Sequence, residues 1–267
     1  MKTIIYYFTG TGNSLATAKK IATTLGECEL VPIAALKENS ETIIPPADQV
    51  GIICPVYFAG LSVMAAEFAA RLDLTHSQYT FAVVTFGGSG GSSALNQLEK
   101  ILRQRGNTGL DAGFMVKMPG NYILMYGSPV GEKREKLLAI ADENIAKIAV
   151  SISHRGKQKL PTSLLADLMH SLAYPRFLSR IHNDDRKFSV NAKCTSCGTC
   201  AAVCPADNIR LVEGKPVWRH HCELCCGCIH LCPVGAIQAG PRTESRPRYR
   251  NPSVSLGELE RMQKHET

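Results

Sequence analysis

Eight of the 11 cysteines form two copies of one spaced pattern towards the C-terminal end of the chain. Each copy has the spacing C-x2-C-x2-C-x3-C-P, and thiolates at this spacing are typical of bacterial proteins that bind cubane 4Fe-4S clusters. Isolated C-x-x-C pairs also occur in zinc sites, but two complete runs with the following proline favour iron–sulfur chemistry. We therefore predict two 4Fe-4S clusters. Their ligands are Cys194, Cys197, Cys200 and Cys204 in the first run, and Cys222, Cys225, Cys228 and Cys232 in the second.

The fourth cysteine of each run indicates which thiols share a cluster. The first three lie on one tight loop and can bind three irons of a single cluster, whereas the fourth begins a helical stretch that points away. We therefore expect Cys232 to complete the first cluster and Cys204 to complete the second. A ninth cysteine, Cys226, has no place in either run, and we interpret it as a spare thiol beside the second cluster. An exchange of ligands at Cys226 and a purely structural role for the clusters stay open.

A loop near the N-terminus is the second feature that could bind a ligand. The segment Thr9-Gly10-Thr11-Gly12-Asn13-Ser14 follows an apolar run and precedes a helical pattern. Unpaired N–H groups at a helix N-terminus favour an anion, and glycine lets the backbone approach it closely. No lysine follows as in a Walker loop, and Leu15 stands where a dinucleotide fingerprint has its third glycine. The loop therefore predicts a phosphate held by neutral donors, as in FMN; a glycine-rich turn without a ligand is the alternative.

The elements that must position these residues follow from the hydrophobic pattern of the first 150 residues. Short apolar runs alternate with helical patterns, which is typical of a parallel sheet that is covered on both faces. We predict an α/β domain with about five strands and with helices between them. The predicted strands are residues 4–8, 29–31, 50–54, 81–86 and 113–118, and helices are predicted after residue 14, over 93–105 and around 137–148.

Charge and cysteine content divide the rest of the chain. Residues 153–267 hold 17 Lys+Arg against 10 Asp+Glu and carry the whole net charge of +7. We predict a first domain over 1–152, a basic helical connector over 153–187, a cluster domain over 188–240 and a C-terminal arm over 241–267. We expect a connector helix after Pro161 to pack between the domains through one apolar face, although a membrane surface or an acidic partner would also suit it. That face consists of Leu164, Leu165, Leu168, Met169 and Leu172.

Composition excludes several classes of protein. Hydrophobic residues make up 45% and charged residues 20% of the 267 residues, unlike the composition of disordered or fibrous chains. No apolar run is long enough for a transmembrane helix, and the first apolar stretch is too short for a signal peptide. We therefore expect a cytoplasmic protein whose clustered thiols bind metal rather than form disulfides. No nucleic-acid-binding module accompanies the arginines of the tail, so no nucleic-acid partner is expected.

The N-terminal loop resembles the FMN phosphate loop of flavodoxins, roughly Ser/Thr-x-Thr-Gly-x-Ser/Thr, at Thr9, Thr11, Gly12 and Ser14. The resemblance implies a flavodoxin-like, doubly wound parallel sheet of five strands in the order 2-1-3-4-5, with the flavin at the carboxyl ends of the strands. It also implies two loops that sandwich the isoalloxazine ring, with Tyr57 or Phe58 stacked on that ring. These loops are Pro55, Val56, Tyr57 and Phe58, and Phe86, Gly87, Gly88, Ser89 and Gly90.

Taken whole, the chain is similar to flavodoxin–ferredoxin fusion proteins of anaerobic bacteria. Besides the loop and both cysteine runs, the likeness covers residues 54–57, 118–122 and 248–252. It implies that a small bacterial-ferredoxin-type α+β domain follows the sheet domain. The first 152 residues hold 13 basic and 13 acidic residues, whereas flavodoxins are usually strongly acidic, so the partners of flavodoxins are not carried over.

These features together predict an electron-transfer protein that relays electrons between two 4Fe-4S clusters and a bound FMN. Its partner would be a redox protein or a small-molecule electron acceptor, and the oligomeric state is not indicated. Two other functions stay open. One is an FMN-dependent reductase of a small organic substrate that the clusters feed, with Tyr57 as the best candidate for the proton donor. The other is a redox or oxygen sensor in which the clusters give the signal.

Overall fold

The computed structural model describes residues 2–38 and 41–263, and its first part is a five-stranded parallel sheet. The strands are β1 (Thr3–Tyr7), β2 (Cys28–Pro32), β3 (Gln49–Pro55), β4 (Tyr79–Phe86) and β5 (Ala112–Lys117). They pair in the order β2-β1-β3-β4-β5, which confirms the predicted flavodoxin-like topology. Because the order reverses between β1 and β3, the loops that follow these two strands leave a crevice at their carboxyl ends.

Helices cover both faces of this sheet. On one face α1 (Asn13–Leu25) packs with α4 (Gly131–Ser153), and on the other α2 (Val63–Ala69) packs with α3 (Gly91–Gln104). Successive strand side chains point to opposite faces, so Ile5 joins the first core and Ile4 the second. This double burial explains why the strands are apolar throughout. No helix in the described ranges is long and apolar enough to cross a bilayer.

A small domain with two antiparallel strand pairs carries the cysteine runs. Its short helices each contain the third cysteine of a run, and they pack against each other. This arrangement confirms the expected small α+β domain. The pairs are β6 (Phe188–Val190) with β9 (Ile237–Ala239) and β7 (Ile209–Val212) with β8 (Lys215–Trp218), and the helices are α6 (Thr199–Ala202) and α7 (Gly227–Leu231).

The connector forms α5 (Leu164–Leu178), which packs against both domains through one face only. The Tyr174 hydroxyl donates to the Leu61 carbonyl at 2.9 Å, and Phe177 joins the core around the cysteines. The five apolar side chains that we expected to pack between the domains lie on the opposite face and are exposed. That expectation is wrong because the helix carries two apolar stripes. The aromatic stripe, which can also form hydrogen bonds, is the one that packs inward.

The C-terminal arm returns to the first domain. After a turn at Pro241–Thr243 it runs without regular structure to the short helix α8 (Leu256–Glu260). Leu259 is fully buried in the core beside α1, and Lys19 of α1 forms an ion pair with Glu258 at 2.6 Å. The arm is therefore integrated into the packing of the sheet domain.

We predict that leucines in the two environments respond differently to truncation. Leu95 of α3 is fully buried, so Leu95→Ala should destabilise the protein by about 2–5 kcal/mol. Leu164 of α5 is 91% exposed, so Leu164→Ala should change stability by less than about 0.5 kcal/mol. The midpoint of urea-induced unfolding measures both effects. Equal losses of stability would mean that Leu164 is packed against the protein.

Candidate functional site

The loop after β1 turns sharply into α1. Gly12 precedes the helix with a φ of 100°, in the left-handed region that glycine adopts without steric penalty. The backbone N–H groups of Asn13, Ser14 and Leu15 open the helix and have no intrahelical acceptor. They also donate to no other residue in the described part of the chain. A row of free donors at a helix N-terminus fits an anionic phosphate group.

The polar side chains of this loop hold its shape. Thr9 Oγ1 accepts a hydrogen bond from the Gly12 N–H at 3.1 Å, and the Ser14 and Thr85 hydroxyls lie 2.9 Å apart. The Thr11 hydroxyl accepts one from the side chain of Asn121 at 2.5 Å. Because these side chains are already engaged, the loop is organised without a ligand, and its backbone supplies the free donors.

The C-terminal arm is hydrogen-bonded to the loop. The Tyr249 hydroxyl donates to Asn13 Oδ1 at 2.6 Å, and the Asn251 side-chain amide donates to the same oxygen at 3.1 Å. The Asn251 backbone N–H donates to the Thr11 carbonyl at 2.9 Å. We did not predict that the arm or Asn121 belongs to the site. The only available signal was that they stand in the stretches 118–122 and 248–252, which carry the family resemblance.

A cavity of about 210 Å³ opens in front of the loop. Of the 15 residues predicted to contact the flavin, 13 line this cavity, and only Gly12 and Gly90 do not. These two glycines precede α1 and α3 in the left-handed conformation, so they shape turns rather than walls. The three predicted loops thus converge on one space. The predicted residues that line it are Thr9, Gly10, Thr11, Asn13, Ser14, Pro55, Val56, Tyr57, Phe58, Phe86, Gly87, Gly88 and Ser89.

Three further segments complete the cavity wall. We did not predict them because they come from parts of the chain that only the tertiary fold brings together. Both domains and the connector therefore build the cavity. The loop after β5 contributes Tyr122, Met125 and Tyr126, α5 contributes Met169 and Phe177, and the second cysteine loop contributes Leu224, Cys225 and Cys226.

Aromatic rings form one side of the cavity. Phe58 stacks on Phe177 with ring centroids 4.8 Å apart and 21° between the planes, and Tyr122 meets Phe58 edge-on at 5.4 Å. Tyr57 lies edge-on to Phe177 at 6.2 Å. Burial, helped by the neighbouring Cys225 thiol, raises the pKa of Tyr57 well above its usual value. These rings give an apolar wall of the kind that planar cofactors use.

The cysteines of the two runs surround two smaller cavities. Each cavity is lined by three cysteines of one run and by the fourth cysteine of the other run. Within residues 2–38 and 41–263, no three His, Cys, Asp or Glu side chains converge as a single metal ion requires. The thiols instead surround a space, which suits a multi-atom cluster. The first cavity is lined by Cys194, Cys197, Cys200 and Cys232, and the second by Cys204, Cys222, Cys225 and Cys228 together with Cys226.

Burial raises the pKa of several thiols in these groups. It raises the pKa of Cys225 to about 12 and that of Cys200 to about 11, because a thiolate is poorly solvated there. The Asn208 N–H donates to Cys204 Sγ at 3.3 Å, a contact that favours negative charge on the sulfur. Metal ligation requires the thiolate form, so these buried thiols release protons when they bind iron.

The large cavity and the second cysteine group share a wall. A Cβ atom added at Gly10 would lie 2.6 Å from the Cys225 carbonyl oxygen, so only glycine lets the two loops touch. Cys225 and Cys226 line both the large cavity and the space between the second group of thiols. The two candidate cofactor sites therefore meet at this short backbone segment.

His230 of α7 connects the cysteine domain to the loop after β5 and to the arm. Its Nδ1 accepts from the Tyr249 N–H at 3.1 Å, and its Nε2 lies 2.6 Å from the Asn121 carbonyl oxygen. Because a carbonyl can only accept, Nε2 carries the proton and the ring is neutral. Burial lowers the pKa of His230 to about 4, which keeps the ring neutral at pH 7.

The two parts of the chain match two family models. The model described as "Flavodoxin" matches residues 5–123, and the model described as "4Fe-4S binding domain" matches residues 190–210. The second match ends before the second cysteine run begins. No curated protein matches the chain significantly.

Several solved structures are similar to part of the chain. A putative flavoprotein from Bacteroides uniformis is 17% identical, with 43% of this chain and 90% of that chain covered and a TM-score of 0.34. A flavoprotein from Lactobacillus acidophilus in complex with FMN is 15% identical, with 43% and 92% covered and a TM-score of 0.32. Rubredoxin oxygen:oxidoreductase from the anaerobe Desulfovibrio gigas is 17% identical, with 56% and 36% covered and a TM-score of 0.33.

We predict that the arm controls FMN retention. Asn251→Ala removes the side-chain bond to Asn13 and one to the Ser253 N–H, so FMN binding should weaken by about tenfold if the two together contribute about 1.4 kcal/mol. Iron content should stay unchanged. Fluorescence titration of flavin-depleted protein with FMN measures the effect. Arg250→Ala, at an exposed neighbouring position, is the matched control, and equal affinities in the two variants would contradict a role for the arm.

We predict that Cys226 is not a cluster ligand. It precedes α7 with a φ of 59°, and its buried thiol lies 3.5 Å from the Leu224 carbonyl oxygen. Anaerobically purified Cys226→Ser should contain about eight iron and eight sulfide per chain, as two cubanes require, whereas Cys228→Ser should retain about half. Chemical iron and sulfide assays measure this. Loss of one cluster from Cys226→Ser would instead identify Cys226 as a ligand.

Proposed function

This chain is a flavodoxin–ferredoxin fusion, and we propose that it relays electrons between two 4Fe-4S clusters and a bound FMN. The flavodoxin domain implies FMN and the 4Fe-4S domain implies a cluster, so the chain is an iron–sulfur flavoprotein of electron transfer. The second cluster, the relay between the centres and the identity of a redox partner belong to the proposal.

The wall shared by the large cavity and the second cysteine group carries this proposal. Cys225 is a predicted cluster ligand, and it also lines the cavity that would hold the flavin. The contact between Gly10 and Cys225 excludes even one additional carbon atom. Electron transfer needs redox centres that lie close together. A flavin in the large cavity and a cluster at the second cysteine group would be separated by a single loop.

Different residues of the chain would hold the FMN and the clusters. When bound, FMN exchanges one or two electrons and each cluster exchanges one. The free N–H groups at Asn13, Ser14 and Leu15 would hold the phosphate, and Phe58 with its aromatic neighbours would shield the ring from water. The eight thiols would hold the clusters in the two groupings described above.

The two thiol groups differ in their access to solvent. Cys197 of the first group is exposed, and a hydrogen bond with Thr199 lowers its pKa. Cys222 and Cys228 of the second group are buried. We infer that the first group faces a redox protein at the surface and that the second group faces the flavin cavity.

The alternative of a small-molecule reductase needs a proton donor in the cavity. Tyr57 is the best candidate, but burial raises its pKa well above its usual value, so it holds its proton more tightly than an exposed tyrosine does. General acids work best when their pKa lies near the working pH. Electron relay requires no such donor, and we favour it for this reason.

The relay predicts that loss of the first cluster slows reduction of the flavin. A reduced ferredoxin, which is too large to enter the cavity, should reduce the flavin of the holoprotein through the clusters. In Cys197→Ser the flavin should remain bound, but its reduction should be at least about tenfold slower. Anaerobic rapid mixing with detection of the flavin absorbance measures the rate.

Two variants control this experiment. Cys28→Ser removes a thiol outside both runs and should leave the rate unchanged. Ser14→Glu places a negative charge at the phosphate donors and should abolish FMN retention while leaving the iron content intact. Flavin reduction at the wild-type rate in Cys197→Ser would contradict the relay. Rapid turnover of small organic acceptors, with none of redox proteins, would favour the reductase.

A further inference from the structure

The outward side of α5 presents an unusual run of exposed aliphatic side chains. We call this set the α5 outer face. Exposed fractions range from 42% to 91%, although side chains of this type are usually buried. The α5 outer face consists of Leu164 (91%), Leu165 (70%), Leu168 (56%), Met169 (42%) and Leu172 (57%).

The opposite side of the helix already supplies its attachment to the protein. Tyr174 bonds to Leu61, Phe177 stacks on Phe58, and Asp167 accepts a hydrogen bond from the Ser93 hydroxyl at 2.8 Å. The α5 outer face is therefore not needed to hold α5 in place. An apolar stripe on a surface helix that packs elsewhere is typical of an interaction site.

The stretch of sequence that contains α5 is basic. Between residues 157 and 183, the sequence has four Lys or Arg residues and one acid, Asp167, which is turned inward. Lys159 and Arg176 are exposed and form no ion pair with described residues, whereas Lys157 and Arg180 pair with Asp111 and Asp184. A negatively charged surface would complement this region.

We propose that the α5 outer face inserts into the headgroup region of a bilayer rich in anionic phospholipid, with the helix parallel to the membrane plane. Helices that lie in this region combine Leu-rich apolar faces with flanking Lys and Arg residues. Binding energy at protein interfaces instead concentrates on Trp, Tyr and Arg, and leucine is under-represented there. Four of the five side chains of the α5 outer face are leucine and none is Trp, Tyr or Arg, which favours lipid.

The α5 outer face also continues to the rim of the large cavity. Met169 belongs to the α5 outer face and lines the cavity, and its sulfur lies 3.7 Å from the Ser89 hydroxyl. Met125 and Tyr126, which line the same cavity, are 64% and 43% exposed. Binding to a membrane through α5 would therefore bring the cavity opening close to the lipid surface. The proposal does not rest on the electron-relay function.

Vesicle binding by the full-length holoprotein tests the proposal. Flotation with vesicles of equal parts phosphatidylcholine and phosphatidylglycerol should recover the wild-type protein with the lipid. The triple variant Leu165→Ser, Leu168→Ser, Leu172→Ser should bind at least about tenfold more weakly, because it removes the aliphatic groups that enter the lipid. Lys159→Gln with Arg176→Gln should weaken binding to these vesicles but not to pure phosphatidylcholine.

A matched triple variant controls for surface hydrophobicity. Leu211, Val212 and Val217 on the β7–β8 hairpin are 41%, 54% and 46% exposed, and their replacement by serine should leave vesicle binding unchanged. Iron and FMN contents of all variants verify folding. The proposal is overturned if the wild type does not float with anionic vesicles, or if the α5 variant floats as well as the wild type. It is also overturned if analytical ultracentrifugation without lipid shows a dimer that only the α5 variant loses, since a second copy would then cover this face.

Discussion

The backbone contact between Gly10 and Cys225 is the constraint on which the rest of the site depends. A side chain at position 10 would collide with the Cys225 carbonyl, so the loop that would hold a phosphate and the loop that would hold a cluster can touch only through glycine. The cavity wall follows from this contact, because Leu224, Cys225 and Cys226 reach the cavity only when the cysteine loop lies on the β1 loop. The two domains are thus in contact at their candidate cofactor sites, in addition to being linked by the connector.

Neutral hydrogen bonds maintain this junction. The loop is hydrogen-bonded to Asn121, and through its own Asn13 to Tyr249 and Asn251 of the arm. His230, as an uncharged ring, links the same arm to α7. Buried charges would carry a large desolvation penalty, whereas satisfied neutral groups fix a geometry at little cost. The free donors that remain are backbone N–H groups at the start of α1, where the helix dipole favours negative charge. These donors would hold a phosphate group without lysine or arginine.

Much of this organisation could be predicted from the sequence because it is local. The apolar runs indicated the five strands to within two residues at each end, since a strand buried on both faces leaves a continuous signal. The cysteine spacing predicted the two groups that the fold brings together, and the loops after β1, β3 and β4 supplied most of the cavity lining. Each of these inferences depends on neighbours in sequence or on a known crossover rule.

The remainder depends on which distant surfaces pack together, and no spacing rule contains that information. Phe177 and Met169 reach the cavity because α5 crosses its rim, and Asn251 reaches Asn13 across 238 residues of chain. For α5 the leucine stripe suggested which side of the helix is buried, but the side that carries Tyr174 and Phe177 is buried instead. These residues add to their apolar area a hydrogen bond from Tyr174 and ring stacking by Phe177.

The bonds between the arm and the β1 loop have a consequence for biosynthesis. Asn13 leaves the ribosome 236 residues before its partner Tyr249 and 238 residues before its partner Asn251. Contacts of such long sequence separation form late in folding. In the nascent sheet domain the pocket at the β1 loop therefore stays incomplete until residues 249–251 have left the ribosome.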